Sequence, residues 1–322
     1  MVIAEGFEDV SEVFTQNPAQ VLGIVLALIG AVFLSVGAQL QYRGVGKVEK
    51  SIGEVGGGLS MRQLLALLAR PSWVIGTGML GAAIVLQLFS LALAPLIVVQ
   101  PLGAVALVIT AIINARVSHV RLNRISIIAI AMCIGGVGLF VTVAAFTAVD
   151  KPVTDADLYV ILTILAVVLI VFGVTFGLLR KRFKALFYII GAGVLYGFVA
   201  TLAKVVISRI QAQEFTLLTG LCVLGLIGAA VLGAYFVQNA YASGPPDLVI
   251  AGLTVIDPLV AVTIGIVVLD EASQAPLWAG IAFVVAGAVA IWGVLLLSKY
   301  HPQTALTPGE TPTPSEQAGG TA

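Results

Sequence analysis

Asp257 is an acidic residue deep inside a long apolar run, and it is the strongest candidate for chemistry. Pro258 follows it and has no N–H to donate to the carbonyl of Thr254. A charged side chain at the bilayer centre costs about 2.5–3.5 kcal/mol on insertion scales, so it needs a reason. A free carbonyl beside a carboxylate predicts a cation or proton site. The structural alternative is a protonated aspartic acid that caps a helix kink.

Lys204 is the second ionisable residue within an apolar run, near the end of that run, from where a lysine reaches the headgroups. Gly193, Gly197, Thr201 and Lys204 follow at spacings of four, four and three residues, which is one helical stripe. A small and polar stripe predicts contact with protein or water rather than lipid. A direct pair with Asp257 is disfavoured, because helical rise separates the two depths by roughly 12 Å.

Neutral polar side chains recur in several other apolar runs. The candidates for binding a substrate or ion are Gln39, Gln87, Gln100, Tyr235, Gln238 and Asn239. Amides donate and accept hydrogen bonds, so they suit a polar solute, but they also join helices at about 0.6 kcal/mol each. For any single one of these side chains, a hydrogen bond between two helices is the commoner role. A cavity is favoured because the polar side chains occur in helices that the internal repeat relates to each other.

The chain around these residues is too apolar for a soluble protein. Of its 322 residues, 60% are hydrophobic and 10% charged, with a mean hydropathy of +1.11. An ordinary soluble domain carries roughly 25% charged residues. The composition excludes a soluble enzyme, a disordered chain and a nucleic-acid binder with a basic surface. The expected partners are the lipid bilayer and a small-molecule or lipid-linked substrate. No nucleic-acid partner is expected, and association into a homodimer is left as an open alternative.

Motifs for catalysis or for a cofactor are not found in the sequence. It has no HExxH zinc motif, no GxSxG nucleophile elbow and no Walker loop. Cys133 and Cys222 both lie in apolar runs and offer neither a disulfide framework nor a metal cluster. We therefore expect no enzyme activity, no cofactor and no bound metal.

Long apolar runs predict the fold class. A membrane-spanning helix needs about 20 mainly apolar residues, whereas a barrel strand needs about 10 that alternate. Nine runs meet the helical criterion: 21–41, 73–94, 96–115, 125–147, 158–179, 185–207, 217–240, 248–269 and 277–298. The sequence predicts an all-α polytopic membrane protein with about nine transmembrane helices. The shorter segment 59–70 is predicted to lie on the membrane surface.

Basic residues predict the orientation. With the N-terminus outside, thirteen of the sixteen Lys and Arg residues fall on the inner side, and only Lys151 and Arg209 fall outside. This asymmetry predicts N-out and C-in insertion in the cytoplasmic membrane. Residues 1–20 are then an extracytoplasmic segment, and residues 302–322, rich in Pro, Thr and Gly, are a disordered cytoplasmic tail.

A weak internal repeat divides the chain. LAPLIVVQPLGAVALVITAI resembles PPDLVIAGLTVIDPLVAVTIGI, and in each a polar residue precedes Pro-Leu: Gln100 in the first and Asp257 in the second. The helix before each carries a glutamine, Gln87 or Gln238. Five spans separate the units, so they are inverted in the membrane, as in many secondary transporters. The predicted units are repeat 1 at 21–147, a bridging helix at 158–179, and repeat 2 at 185–298. The alternative is chance similarity between apolar segments.

Three segments also resemble a known family. SVGAQLQYRG, LALAPLIVVQPLGAVALV, and SGPPDLVIAGLTVIDPLVAV followed by LDE are similar to the drug/metabolite transporter superfamily, nearest its EamA-like and NIPA-type magnesium-transporter-like branch. The resemblance covers roughly 21–298 and implies a secondary transporter with a central cavity between two helix bundles. Family members often have an acidic residue after the Pro-bearing helix. Asp270 and Glu271 fit this pattern in the second half, but INARVSHVRLN leaves it unfilled in the first.

The predicted function is alternating-access transport of a small polar metabolite, drug or cation, coupled to a proton or cation gradient. A flippase for a lipid-linked head group is an alternative, although Lys204 is the only basic residue within a span. A magnesium transporter is another, but magnesium prefers several oxygen ligands, usually carboxylates, and the spans contain one. A non-transporting membrane scaffold is the remaining alternative.

Overall fold

A computed structural model describes residues 17–52, 67–117, 123–179, 185–243 and 246–300. Long helices account for most of these residues. In chain order they are α1 (Pro18–Ile52), α2 (Pro71–Leu93), α3 (Leu96–Val117), α4 (Arg124–Thr147), α5 (Asp155–Leu179), α6 (Ala185–Gln211), α7 (Leu217–Ser243), α8 (Pro246–Val267) and α9 (Leu277–Tyr300).

All nine of these helices contain an apolar stretch long enough to cross a bilayer. Within the described ranges there is no β-strand, so the predicted all-α polytopic class is confirmed. Most helix bounds agree with the predicted runs to within a few residues. The largest difference is at α1, which continues to Ile52 although its apolar stretch ends at Gln41. Hydropathy marks where a helix leaves the membrane, whereas good helix formers such as Lys and Glu let it continue beyond.

Some of the predicted features lie outside the described residues. These are residues 1–16 of the N-terminal segment, most of the surface helix predicted at 59–70, and the tail at 302–322. Of the surface helix, only its last four residues, 67–70, are described, and the first two of them are helical.

Helix pairing follows the same pattern in the two halves of the chain. Helix α1 packs on α2 and α3, and α6 packs correspondingly on α7 and α8. Helix α3 also contacts α4, as α8 contacts α9. Between the halves, the main contacts join α3 to α8 and α4 to α9. Helix α5 lies at the periphery, mainly against α7.

The closest crossing between the halves is the antiparallel pair α4 and α9. A methyl group added to Gly136 would lie 2.6 Å from the backbone nitrogen of Ala290, and one added to Gly293 would lie 2.6 Å from that of Cys133. The residue numbers rise on one helix as they fall on the other, so the two helices run in opposite directions. The start of α3, at Leu96, likewise lies beside Gly265 at the end of α8. Antiparallel α3–α8 and α4–α9 pairs are what a twofold axis in the membrane plane requires.

Candidate functional site

A large cavity lies between α1, α2, α3, α6 and α8, and we call it the central cavity. Its volume is about 850 Å³, within the range of sites for small molecules. Its walls are mainly apolar. The polar side chains that line it are Gln87, Gln100, Tyr196, Thr254 and Asp257. Helices from both halves of the chain therefore line a cavity with a few polar groups.

Asp257 brings the one carboxylate among the residues that line the central cavity. Its Oδ1 atom is buried and has no hydrogen-bond partner within the described part of the chain. The nearby hydroxyl of Thr254 does not serve it, because this hydroxyl donates to the carbonyl of Ile250 at 2.8 Å. A buried polar atom without a protein partner costs free energy. Asp257 is thus available to a proton, a cation or a donor group on a solute.

Helix α6 fixes the position of Asp257 through a close backbone contact. A methyl group added to Gly197 would lie 2.6 Å from Cβ of Val260 and 3.0 Å from the carbonyl oxygen of Asp257. One added to Gly193 would lie 2.6 Å from Cβ of Ile256. Only glycine permits this approach, so the stripe predicted on α6 faces protein at these two residues. The residue numbers of the contacting positions rise together on α6 and α8, so these two helices run parallel.

Gln87 and Gln100 are the two amides that the structure brings to the central cavity with Asp257. Gln100 is buried on α3 and Gln87 is half-buried on α2. Tyr196 lines the same cavity from α6 and was not among the predicted residues. The signal for it was present, because Tyr196 lies three residues beyond Gly193 and so near the small-residue stripe.

The other predicted neutral polar side chains do not line the central cavity. Tyr235 and Gln238 are exposed on α7, and the side chain of Asn239 donates to the carbonyl of Tyr235 at 2.8 Å. Gln39 is half-buried on α1 but does not line the cavity. The expected convergence of Gln87 with Gln238 is therefore not seen in the structure.

Lys204 is buried at one end of the central cavity rather than in its wall. Only 2% of it is exposed, although the adjacent Ala203 lines the cavity. Its Nζ donates to the carbonyl of Ala94 at 3.0 Å and to Oδ2 of Asp150 at 2.9 Å. Lys204 therefore pairs with Asp150, a residue of the α4–α5 connection, and not with Asp257.

Glu271 lies beside this pair and caps the start of α3. Its carboxylate oxygens accept from the backbone N–H groups of Leu96 and Ile97, both at 2.8 Å. An acidic group at a helix N-terminus satisfies free donors and complements the helix dipole. Burial raises the pKa of Glu271 to about 6, although these two donors and Lys204 act in the opposite direction. We call Lys204, Asp150, Glu271 and the start of α3 the Lys204 cluster.

Further bonds join the connections at this same end of the molecule. The backbone N–H of Val149 donates to the carbonyl of Glu271 at 2.8 Å, and Lys151 pairs with Asp270. Buried Arg209 pairs with Asp155 and Glu214. The connections α2–α3, α4–α5, α6–α7 and α8–α9 all contribute, as alternating spans require. The pairs Lys204–Asp150 and Arg209–Asp155 each join residues 54 positions apart, so no local sequence pattern indicates them.

No metal site is formed by the residues whose placement is described, because nowhere do three His, Cys, Asp or Glu side chains converge. Cys133 and Cys222 are both free and buried.

Comparison with known proteins gives one similar chain and no named activity. No protein-family model matches the sequence, and no solved structure matches it. An uncharacterized protein of Corynebacterium glutamicum is 28% identical over 286 residues, which covers 87% of this chain and 96% of the relative. The two chains are thus similar over nearly their whole lengths.

Proposed function

We propose that this protein is a secondary transporter that moves a small polar metabolite, drug or cation across the cytoplasmic membrane by alternating access. Asp257 is the residue that couples transport to a proton or cation gradient. The observation that carries the proposal is the central cavity, which places a carboxylate with an unpartnered oxygen among membrane-spanning helices. Gln87 and Gln100 are then the hydrogen-bonding groups for the solute.

The arrangement of the halves supports transport. Secondary transporters with inverted repeats bind substrate near the midplane, between the repeats. Here the cavity lies between α1–α3 of the first half and α6 and α8 of the second. The matching helix pairs of the two halves and the resemblance to the drug/metabolite transporter superfamily support the same proposal. The N-out and C-in orientation belongs to it and places the Lys204 cluster on the outer face.

The residues around the cavity favour a solute over a bare magnesium ion or a phosphate. Magnesium takes six oxygen ligands and is usually held by more than one group, whereas Asp257 is the one carboxylate lining the cavity. No Lys or Arg lines the cavity as described, so a phosphate-bearing head group would find no basic partner there. An organic solute with donor groups matches the carboxylate and the two amides better.

A proteoliposome experiment tests the proposal. The purified full-length protein is reconstituted, and uptake of a panel of labelled solutes is measured with and without a pH gradient. Asp257→Asn keeps the size of the side chain and mimics the protonated acid, so we expect it to fold and to lose gradient-driven uptake. Solute exchange should survive if the coupling ion is a proton, because exchange requires no deprotonation.

Asp270→Asn is the matched control, because Asp270 is an exposed carboxylate on a connection outside the cavity. Asparagine also tolerates the left-handed backbone of this residue. We expect it to transport like the wild type. Normal, pH-independent transport by well-folded Asp257→Asn would refute the coupling role of Asp257.

A further inference from the structure

A second, smaller cavity opens between α3, α4, α8 and α9, and we call it the side pocket. Its volume is about 80 Å³. Its walls include Pro101 and Ala104 on α3, Phe140 on α4, Pro258 on α8 and Gly287 on α9. Every other lining residue is aliphatic except Thr254.

The side pocket and the central cavity meet at α8. Thr254 and Pro258 line both spaces, and Asp257, which lies between them in sequence, lines the central cavity. Thr254 and Pro258 are about one helical turn apart, so the side pocket begins within roughly 5 Å of helical rise from Asp257. A solute that reaches Asp257 is therefore within about one helical turn of residues that line the side pocket.

The polar-Pro-Leu motif explains how the two spaces are separated. On α3, Gln100 lines the central cavity and the next residue, Pro101, lines the side pocket. On α8, Asp257 lines the central cavity and Pro258 lines the side pocket as well. In both halves the polar residue thus lines the more polar central cavity, and its proline lines the apolar side pocket.

The described walls of the side pocket offer no free hydrogen-bond donor to a solute. The hydroxyl of Thr254, the one polar group on its walls as described, is already donated to Ile250. Such a pocket stays dry and accepts apolar groups. Its volume of about 80 Å³ is roughly half that of an engineered cavity of about 150 Å³ that binds the six carbons of benzene, so the pocket has room for about three carbons.

We propose that the central cavity and the side pocket form one site for an organic cation, with its charged group at Asp257 and an apolar substituent of about three carbons in the side pocket. This inference rests on the proposed function and names its substrate class. Asp257 supplies the charge complement, and the two amides supply hydrogen bonds to the polar part. The apolar walls supply selectivity for the substituent.

Binding of a homologous series of probes tests the substituent. The probes are methyl-, ethyl-, propyl-, butyl- and hexylammonium, and binding to the purified full-length protein is measured by calorimetry. Burial of each methylene is expected to tighten binding about fourfold, which corresponds to about 0.8 kcal/mol. The gain should stop near propyl or butyl, and hexylammonium should bind no more tightly.

Space-filling variants assign the effect to the side pocket. A Cβ atom at Gly287 would lie 4.0 Å from the ring of Phe140, which leaves room for a larger side chain to fill the pocket. Gly287→Leu is expected to remove the gain from methyl- to propylammonium. Gly280→Leu on the same helix is the control, because a Cβ there meets nothing within 4 Å and it lies outside the pocket. Gly103→Leu fills open space in the central cavity and should weaken every probe.

A variant that enlarges the pocket keeps the test independent of Gly287. Val294 lines the side pocket and is buried, so Val294→Ala should move the preferred chain length up by one or two carbons. A series without chain-length dependence in the wild type would overturn the inference. The inference would also be overturned if Gly287→Leu kept the same dependence of affinity on chain length but lost a co-purified lipid. That result would mean that the side pocket holds an acyl chain of the lipid. Failure to bind any alkylammonium ion, with transport of another solute intact, would overturn only this inference and leave the proposed function standing.

Discussion

Removal of the Lys204 amine should loosen one end of the central cavity. Lys204→Met keeps the length of the side chain but loses its hydrogen bonds to Ala94 and Asp150. Each hydrogen bond from a charged donor contributes about 1.5–3 kcal/mol, and the fully buried carbonyl of Ala94 is left unsatisfied. The recovered cost of burying a charged amine offsets part of this loss. We expect Lys204→Met to lower the stability of the packed arrangement by a net 1–3 kcal/mol, on the order of the hydrogen bonds lost. The ratio of packed to loosened molecules then falls roughly 5- to 150-fold.

The partner of Lys204 should matter less than Lys204 itself. Asp150→Asn keeps an amide oxygen that can accept from Nζ of Lys204, and the bond from Lys204 to the carbonyl of Ala94 is retained. The side chain of Asp150 is 44% exposed, so solvent screens its charge and the loss of that charge costs about 0–1 kcal/mol. Asp150→Asn is therefore expected to shift the packed arrangement by less than about fivefold, clearly below Lys204→Met.

Labelling kinetics measure this shift. Cys133 and Cys222 are first replaced by alanine, and Ala203, which lines the central cavity beside Lys204, is changed to cysteine. A membrane-impermeant maleimide is added from the predicted outer side, and we expect Lys204→Met to raise the labelling rate by about fivefold or more. A cysteine at Ala212, which is exposed in the α6–α7 connection, is the control and should label equally in all variants. Equal labelling of Ala203→Cys with and without Lys204 would refute the reasoning.

Three further outcomes are expected at other residues. Burial raises the pKa of Glu271 from 4.5 to about 6, so the folded chain holds its proton more tightly than the unfolded chain. The free energy of unfolding should therefore fall by about 1.5 kcal/mol as the pH rises from 4.5 to 6.5. Thermal unfolding in detergent at several pH values measures this, and Glu271→Gln should remove this dependence. Gly197→Ala should lower the free energy of unfolding by about 1–3 kcal/mol and weaken solute binding, because α8 and Asp257 must move to admit the methyl group. Gly220→Ala is the control and should be neutral or stabilising, because a Cβ there meets nothing within 4 Å. Gln213 has a left-handed backbone with φ of 58°, so Gln213→Gly should stabilise the protein by about 1 kcal/mol in the same unfolding assay, and a lower unfolding temperature would contradict this.

Hydropathy was sufficient to predict the helices but not their rotation about their own axes. The predicted runs and the observed helices agree because both depend on the length of apolar sequence. On α7, buried Phe236 packs against α6 near Gly191, and Gln238 lies about 200° further around the helix. Gln238 therefore points away from α6, and no pattern within α7 alone indicated which face would pack.

The same reason separates the predicted residues that line the central cavity from those that do not. Asp257 was predictable because its depth and its proline are local features of the sequence. The partner of Lys204 was not, because Asp150 lies 54 residues earlier in a polar connection. Which polar residues meet depends on the packing of helices that are distant in sequence.

Helix α6 carries both the glycines that contact α8 and the lysine of the Lys204 cluster. Gly197 and Lys204 are seven residues apart, about 10 Å along a single uninterrupted helix. A displacement of α8 on loading of Asp257 must therefore move α6, and with it the amine that holds Asp150 and Ala94. Helix α6 therefore connects movements at the central cavity mechanically to the hydrogen bonds of the Lys204 cluster. The two sites are then energetically coupled, so the effects of Asp257→Asn and Lys204→Met on accessibility should not add.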